Sequence, residues 1–288
     1  MSAAVIKLAQ GSPEWHHHRA QFRNASESAA VMGLNPWQTP YGLWLVRTGR
    51  MTVPVTAPMQ HGTQMEPKAR AAYEDQTGSV MQPLVLTEGD YSASLDGITL
   101  DGDLIVEIKC PYKGQASALW QAVSVGEVPE HYRIQVQHQM MVSGAASAHL
   151  WVFDGGTGLL VEMQRDEATM TAIRSAWDGF QTYLDTDTPP PLTERDTVER
   201  SDPAWTLAAG LYVEAKRKAE DAAESLDRAR ERLVGLASHA SESGHGVTVT
   251  RFFKQGNVDY KKVPELKVVD LDRYRAAGRV EVRVTVAK

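Results

Sequence analysis

The sequence contains one cysteine, Cys110, no apolar run approaching the roughly 20 residues that cross a bilayer, and no surplus of positive charge. A lone thiol forms no intrachain disulfide and builds no self-contained cysteine zinc or iron–sulfur site, so any metal must rest on oxygen or imidazole ligands. The N-terminus, MSAAVIKLAQ, has neither a basic leader region nor a long apolar stretch, and with no spanning segment the expectation is a soluble protein of the cytoplasm with no membrane contact. The net charge of -6 argues against a chain that coats nucleic acid nonspecifically, because such binding runs on phosphate neutralisation. A local basic channel in an otherwise acidic enzyme stays open.

What is present is enough for a core. A chain of 288 residues at 42% hydrophobic content buries one substantial unit with a smaller one beside it. Ser12-Pro13-Glu14 is an N-cap, a proline at the first helical position and a first-turn acid, which predicts a helix over Trp15 to Gln21. Further helices are predicted over Ser26 to Met32 (closed by Gly33), Tyr41 to Thr48, and Met59 to Gln76, the last kinked at Pro67 and ended by Gly78. Strand-like runs Val80 to Thr87, Tyr91 to Thr99 and Leu104 to Cys110 are separated by Glu88-Gly89-Asp90 and Asp101-Gly102-Asp103, turn chemistry that predicts an antiparallel meander. Helices at 116–124 and 129–142, strands at 148–153 and 159–164, and a helix at 167–183 complete a unit of residues 1–186. Pro189-Pro190-Pro191 makes 187–204 a stiff linker. The extension, 205–288, opens on a long helix in which Ala219, Ala222, Leu226, Ala229, Leu233 and Leu236 alternate at three and four residues, either a short coiled-coil seam or a helix packed on the smaller domain. Strands at 247–254 and 280–286 and a short helix at 271–276 follow.

Chemistry concentrates in Leu104-Ile105-Val106-Glu107-Ile108-Lys109-Cys110. An apolar strand carries an acid and a base two residues apart, and period two puts both on one face while Ile108 points into the core. Buried ionised groups need a partner, a metal or a cleft; the plain alternative is an exposed Glu–Lys pair on an edge strand. Asp96 stands eleven positions before Glu107 on the preceding strand, so a hairpin closing at Asp101-Gly102-Asp103 brings it to the same end of the sheet. Two carboxylates and a backbone carbonyl suit magnesium, and Lys109 would orient or deprotonate a water and offset transition-state charge.

Asp96 followed by Glu107-Ile108-Lys109 resembles the signature of the PD-(D/E)XK nucleases, and Glu107-Ile108-Lys109-Cys110-Pro111 is similar to the phage lambda exonuclease and YqaJ-like recombinase branch. Trp15-His16-His17-His18-Arg19, Asn24-Ala25-Ser26-Glu27, His61 to Glu66 and Tyr132 to Gln137 follow that family's order over residues 12 to about 184. The resemblance implies an α/β (α+β) fold with a central mixed sheet flanked by helices. It implies Asp96 and Glu107 as metal ligands, the Ile108 carbonyl as a third, Lys109 as the catalytic lysine, Glu66 as a carboxylate for a second metal, and Gln135 beside the nucleophilic water. The cofactor would be one or two Mg2+ ions, with Mn2+ able to substitute. Arg19 and Ser26 resemble a pocket for a terminal 5′-phosphate, in keeping with a bidentate guanidinium beside helix N–H groups. Met59 falls where the family places an apolar wedge between strands, its plain alternative being a core methionine. His16, His17 and His18 point about 100° apart on a helix and cannot converge on one ion.

Leu95 replaces the proline of the family signature, and the extension from Asp187 has no counterpart in the compact phage enzyme. The leading expectation is an ATP-independent 5′→3′ exonuclease on linear double-stranded DNA that prepares 3′ tails for a single-strand annealing protein, working as a homo-oligomer, a ring-shaped trimer by resemblance. The rivals are an endonuclease of the same fold, which has no need of a terminal-phosphate pocket, and a DNA-end-binding scaffold with an inactive site.

Overall fold

The structure is a computed structural model describing residues 3–8 and 11–254 together with positions 256, 263, 264, 266 and 269. Contacts divide the chain into two compact units, Met1–Thr197 and Val198–Lys288.

The first unit is built on a mixed sheet in the order β1-β3-β4-β5-β6-β7, from Ala4–Ile6, Gln82–Glu88, Tyr91–Ile98, Leu104–Lys109, Ser147–Phe153 and Gly158–Gln164, with the short β2 (Arg23–Asn24) pairing parallel to β4. The β3–β4–β5 meander is antiparallel as the turn residues predict. β5 and β6 run parallel, which demands a crossover too long for a hairpin. Helices α5 (Ala118–Ser124) and α6 (Glu130–Ser143) supply it. Six helices precede or follow the crossover pair in the described chain: α1 (Pro13–Gln21), α2 (Ser28–Val31), α3 (Pro40–Arg47), α4 (Ala57–Thr77), α7 (Glu167–Asp185) and, in the second unit, α8 (Pro203–Leu236).

Side-chain alternation sorts the strands onto two cores. Leu95, Ile105, Leu150 and Val152 join Ile134, Val136 and Met140 of α6 and Ile173 and Trp177 of α7 on one face. Val106, Ile108, Trp151 and Phe153 meet Ala69 and Tyr73 of α4 on the other. β5 is therefore a central strand covered on both sides, which removes the edge-strand alternative for Glu107 and Lys109.

Helix starts follow their caps: Ser12, Thr39 and Asp166 accept the main-chain N–H groups of Trp15, Gly42 and Thr169. α4 runs from Ala57 to Thr77 without a break at Pro67 and ends where Gly78 takes φ 72°. The predicted helix over Ser26 to Met32 is instead a 3-10 turn, Ala25–Glu27, followed by four α-helical residues. β1 and β2 have no sequence forecast: three and two residues are too few for periodicity to register, and sheet pairing defines them. Residues 187–197 are part of the first unit, with Arg50 gripping the Asp187 carboxylate at 2.8 and 2.7 Å and Arg195 donating to the Asn35 carbonyl at 2.8 Å.

In the second unit none of the residues of α8 is buried. A hairpin follows, β8 (Ser241–Gly244) with β9 (Val247–Thr250). His245 and Gly246 turn it with φ 50° and 80°, the paired positive values that two-residue hairpin loops use. The expected strand over 247–254 stops at Thr250. Its partner went unforecast because Ser-Glu-Ser-Gly lacks an apolar alternation. The helix expected at 271–276 and the strand at 280–286 lie outside the described residues.

Candidate active site

The β4–β5 ladder holds Gly97 opposite Val106 and Ile98 opposite Ile105. One step further in that register, Asp96 faces Glu107, but the ladder ends there and the side chain takes over: Asp96 Oδ2 accepts the Ile108 N–H at 2.8 Å. Gly97 makes this approach feasible. A Cβ at that position would lie 2.7 Å from Met81 Cβ and 2.8 Å from Val106 Cγ1.

Glu107 is 2% exposed. Its Oε1 receives the Lys109 ammonium at 2.5 Å and the Gln135 amide at 2.6 Å, and its Oε2 receives the Gln139 amide at 2.5 Å. Gln135 and Gln139 lie one turn apart on α6, so the crossover helix delivers two donors to one carboxylate. Gln139 is the residue that the family blocks passed over. Its spacing from Gln135 is the signal that could have found it. Its Oε1 is buried without a partner. Arg70, also unforecast, joins the site from α4 by donating Nε to the Asp96 carbonyl and Nη2 to Glu66 Oε1, both at 2.6 Å.

The electrostatics are those of a site short of positive charge. Burial, followed by repulsion from Glu107 and Glu66, holds the Asp96 carboxyl well above the usual range. Burial also raises Glu66, with Glu107 adding to it and Arg70 opposing. Burial works against the Lys109 charge, but Glu107 and Asp96 outweigh it and keep the ammonium protonated beyond its ordinary range. The same ammonium sits 5.1 Å from the Tyr132 ring centre. Cys110 is unsuited to act as a nucleophile, since burial pushes its thiol up to about 11.

This donor set fits a hard divalent cation. Asp96 and Glu107 offer oxygen ligands whose mutual repulsion a cation relieves, and magnesium accepts one or two carboxylates with water or phosphate completing its shell. Among the described residues no three His, Cys, Asp or Glu side chains form a ready-made metal cage. Glu66 faces the pair electrostatically while its Oε1 is engaged by Arg70.

The structure brings the other predicted pair together as well. Arg19 Nη2 donates to Ser26 Oγ at 3.0 Å and lies 3.3 Å from Glu27 Oε1, and the guanidinium stacks 4.7 Å from the Trp15 ring centre. Glu27 is held from its other side by Arg47 at 2.5 Å. Ser26 sits inside the 3-10 turn rather than at the start of an α-helix, so recognition of an anion there would rest on the two side chains and not on a helix terminus. Trp15 Nε1 donates to Ser94 Oγ at 3.0 Å, tying α1 to the strand that carries Asp96. Met59 is 52% exposed in the first turn of α4, which sets aside the core reading. The three histidines diverge: His17 bonds Gln21, His18 bonds Ser92 and stacks on Phe22, and His16 meets Trp15 edge-on.

A central mixed sheet flanked by helices, with an acid–acid–lysine cluster at the end of an antiparallel pair, is the architecture of the PD-(D/E)XK nucleases. Residues 14–146 match the YqaJ-like viral recombinase domain. The chain is 28% identical over 175 residues to the uncharacterized protein YqaJ of Bacillus subtilis (strain 168), covering 57% of this chain and 53% of that one. It thus spans about half the length of that relative. In structure it is similar to LHK-Exo, an alkaline exonuclease from Laribacter hongkongensis, at 26% identity and a TM-score of 0.53 over 62% of this chain and 94% of that one. LHK-Exo is also known in complex with dAMP, with the same agreement. Among the described residues no helix is long and apolar enough to cross a membrane.

Proposed function

We propose that this protein is a divalent-metal-dependent exonuclease that degrades linear double-stranded DNA from 5′-phosphorylated ends without ATP, leaving 3′ single-stranded tails. The observation that carries this reading is the convergence of Asp96, Glu107 and Lys109, with the carboxyl groups outnumbering the local positive charges and Glu107 fixed by three donors. The likeness to an alkaline exonuclease, itself known with a nucleoside monophosphate bound, supports it.

A magnesium ion held by Asp96 and Glu107 would supply polarisation of the scissile phosphate and a lowered pKa for water. Lys109, whose ammonium is held against Glu107, would offset charge that develops on the phosphate oxygens. Gln135 and Gln139 lock the Glu107 rotamer so that its oxygens do not have to reorganise during the reaction. The Tyr132 ring flanks the Lys109 ammonium at 5.1 Å and covers part of it. Arg19 and Ser26 would bind the terminal phosphate, Met59 would serve as the apolar wedge, and Glu66 would serve a second metal ion. The site belongs to the unit spanning 1–186, with 205–288 a separate extension. A single-strand annealing protein and a ring of identical subunits are the partners this reading implies.

The test is digestion with magnesium and no ATP of linear duplex, with and without a 5′-phosphate, beside closed circular duplex. Linear phosphorylated DNA is expected to disappear first, and Arg19→Ala to lose about tenfold of the phosphate preference, a loss of roughly 1.4 kcal/mol of recognition. Degradation of circular DNA as fast as linear DNA would sink the exonuclease reading in favour of an endonuclease.

A further inference from the structure

The loop before α3 presents Trp37, 73% exposed, on a rigid mount. Asn35 Oδ1 accepts the N–H groups of Trp37 at 2.8 Å and Gln38 at 3.0 Å, an Asx turn. The 187–197 segment fastens both ends, through Arg195 to the Asn35 carbonyl and through Asp196 to the Thr39 hydroxyl. These bonds anchor the backbone of the loop that displays the indole.

Its inner side leads to the catalytic lysine. The Trp37 ring centre is 4.9 Å from that of His131, with the planes at 85°, and 6.4 Å from that of Tyr132, the ring that Lys109 Nζ approaches to 5.1 Å. A perpendicular contact engages at most one face of the indole and leaves the other open. The backing it receives is polar-tipped and unsatisfied, since His131 Nε2 is buried without a partner. A flat, open aromatic face on an anchored loop, one ring away from the charge that would meet the scissile phosphate, matches the chemistry of a nucleobase, which stacks on aromatic rings whatever its sequence.

We infer that Trp37 is a stacking platform for an unpaired base of the strand under attack, so that the substrate is held by its base at Trp37 and by its phosphate at Lys109. The inference rests on the nuclease reading and adds a base-binding subsite to it. Trp37 is here a substrate-positioning residue: it acts on the strand and leaves the reacting atoms to the cluster around Glu107.

The experiment pairs Trp37 variants with DNA lacking one base. Linear duplexes carry a tetrahydrofuran abasic residue at each of the first positions from the 5′ end in turn, and kcat and KM are measured with magnesium. At one position the abasic residue is expected to lower kcat/KM of the native protein about 5- to 150-fold, the range for loss of one base–aromatic stack. Trp37→Ala should show a loss of the same size on intact DNA and no further loss on that abasic substrate. Trp37→Tyr should stay within a few-fold of native while Trp37→Leu behaves as Ala, because stacking and not apolarity is at stake. A second readout needs no turnover: 2-aminopurine at the same position should be quenched on binding to the native protein and not to Trp37→Ala. Native kinetics in Trp37→Ala, losses that multiply at every abasic position, equal quenching in both proteins, or a changed oligomeric mass of Trp37→Ala by light scattering would each overturn the platform. Absence of any digestion by the native protein, with quenching intact, would instead sink the nuclease reading and leave the base site standing.

Discussion

Two charged clusters in the first unit are built from the same residue types and balanced in opposite ways. Around Glu27, one carboxylate is shared by Arg19 and Arg47, and Arg47 also donates to the carbonyls of Arg19, Ala20 and Phe22 at 3.1, 3.0 and 2.5 Å. Burial pulls the Arg19 guanidinium below its ordinary range, with Glu27 opposing. That cluster keeps one positive charge in excess, and a phosphate would have to compete with Glu27 for Arg19. Around Glu107, three carboxylates meet one lysine and one arginine, and Asp96 and Glu66 sit above their usual range. One carboxylate between two arginines leaves the first cluster cationic, while the second is left asking for a cation. The contrast teaches that the same kinds of ion pair can leave opposite residual charges, a surplus guanidinium in one place and a surplus carboxylate in the other.

The comparison can be broken most sharply at Lys109. Lys109→Ala is expected to lower kcat on linear phosphorylated duplex by about 10²- to 10³-fold with the fold intact by circular dichroism. A variant digesting at the native rate would remove the assigned chemistry. Next, Arg47→Ala should cost about 3 kcal/mol in urea unfolding, because Glu27 and three carbonyls lose a buried donor. A change below about 0.5 kcal/mol would show that this cluster is not the structural one.

Asp96→Asn tests the opposite sign. A carboxyl whose folded pKa is raised binds protons more readily in the native state than in the unfolded one. Its contribution to stability is therefore full below the ordinary value of 3.8 and declines as pH rises through the folded pKa. In metal-free buffer, the Asp96 share of native stability should fall as pH rises above about 4, and relative to the native protein Asp96→Asn should gain about 1 kcal/mol near neutrality while losing activity. An unchanged pH slope in urea titrations of the variant would mean that Asp96 is not strained by its neighbours.

The two clusters also differ in how far the sequence announces them. Asp96, Glu107 and Lys109 sit on neighbouring strands of a hairpin whose turn is written in Asp101-Gly102-Asp103, so period two and local register bring them together with little help from the rest of the chain. Gln139 and Arg70 escaped because they arrive from α6 and α4, and which helix face meets which strand depends on packing. Arg19 and Ser26 were legible as a pair only by resemblance. That Glu27 lies between Arg19 and Arg47 depends on α3 folding back over α1. Trp37 carried no local pattern at all, since an exposed aromatic in a loop has meaning only beside its neighbours.

By itself, then, the sequence determined strands β3 to β7 and most helices, the face of β5 that carries Glu107 and Lys109, and the turn that sets Asp96 against them, because these depend on backbone periodicity and turn chemistry within a few residues. The tertiary structure alone decided that β5 lies at the centre of the sheet, that the parallel crossover to β6 lays Gln135 and Gln139 on Glu107, that the carboxylates outnumber their cations, and that Trp37 opens one ring away from Lys109. Those outcomes come from long-range packing, where burial and Coulombic interactions act between residues that the sequence keeps far apart.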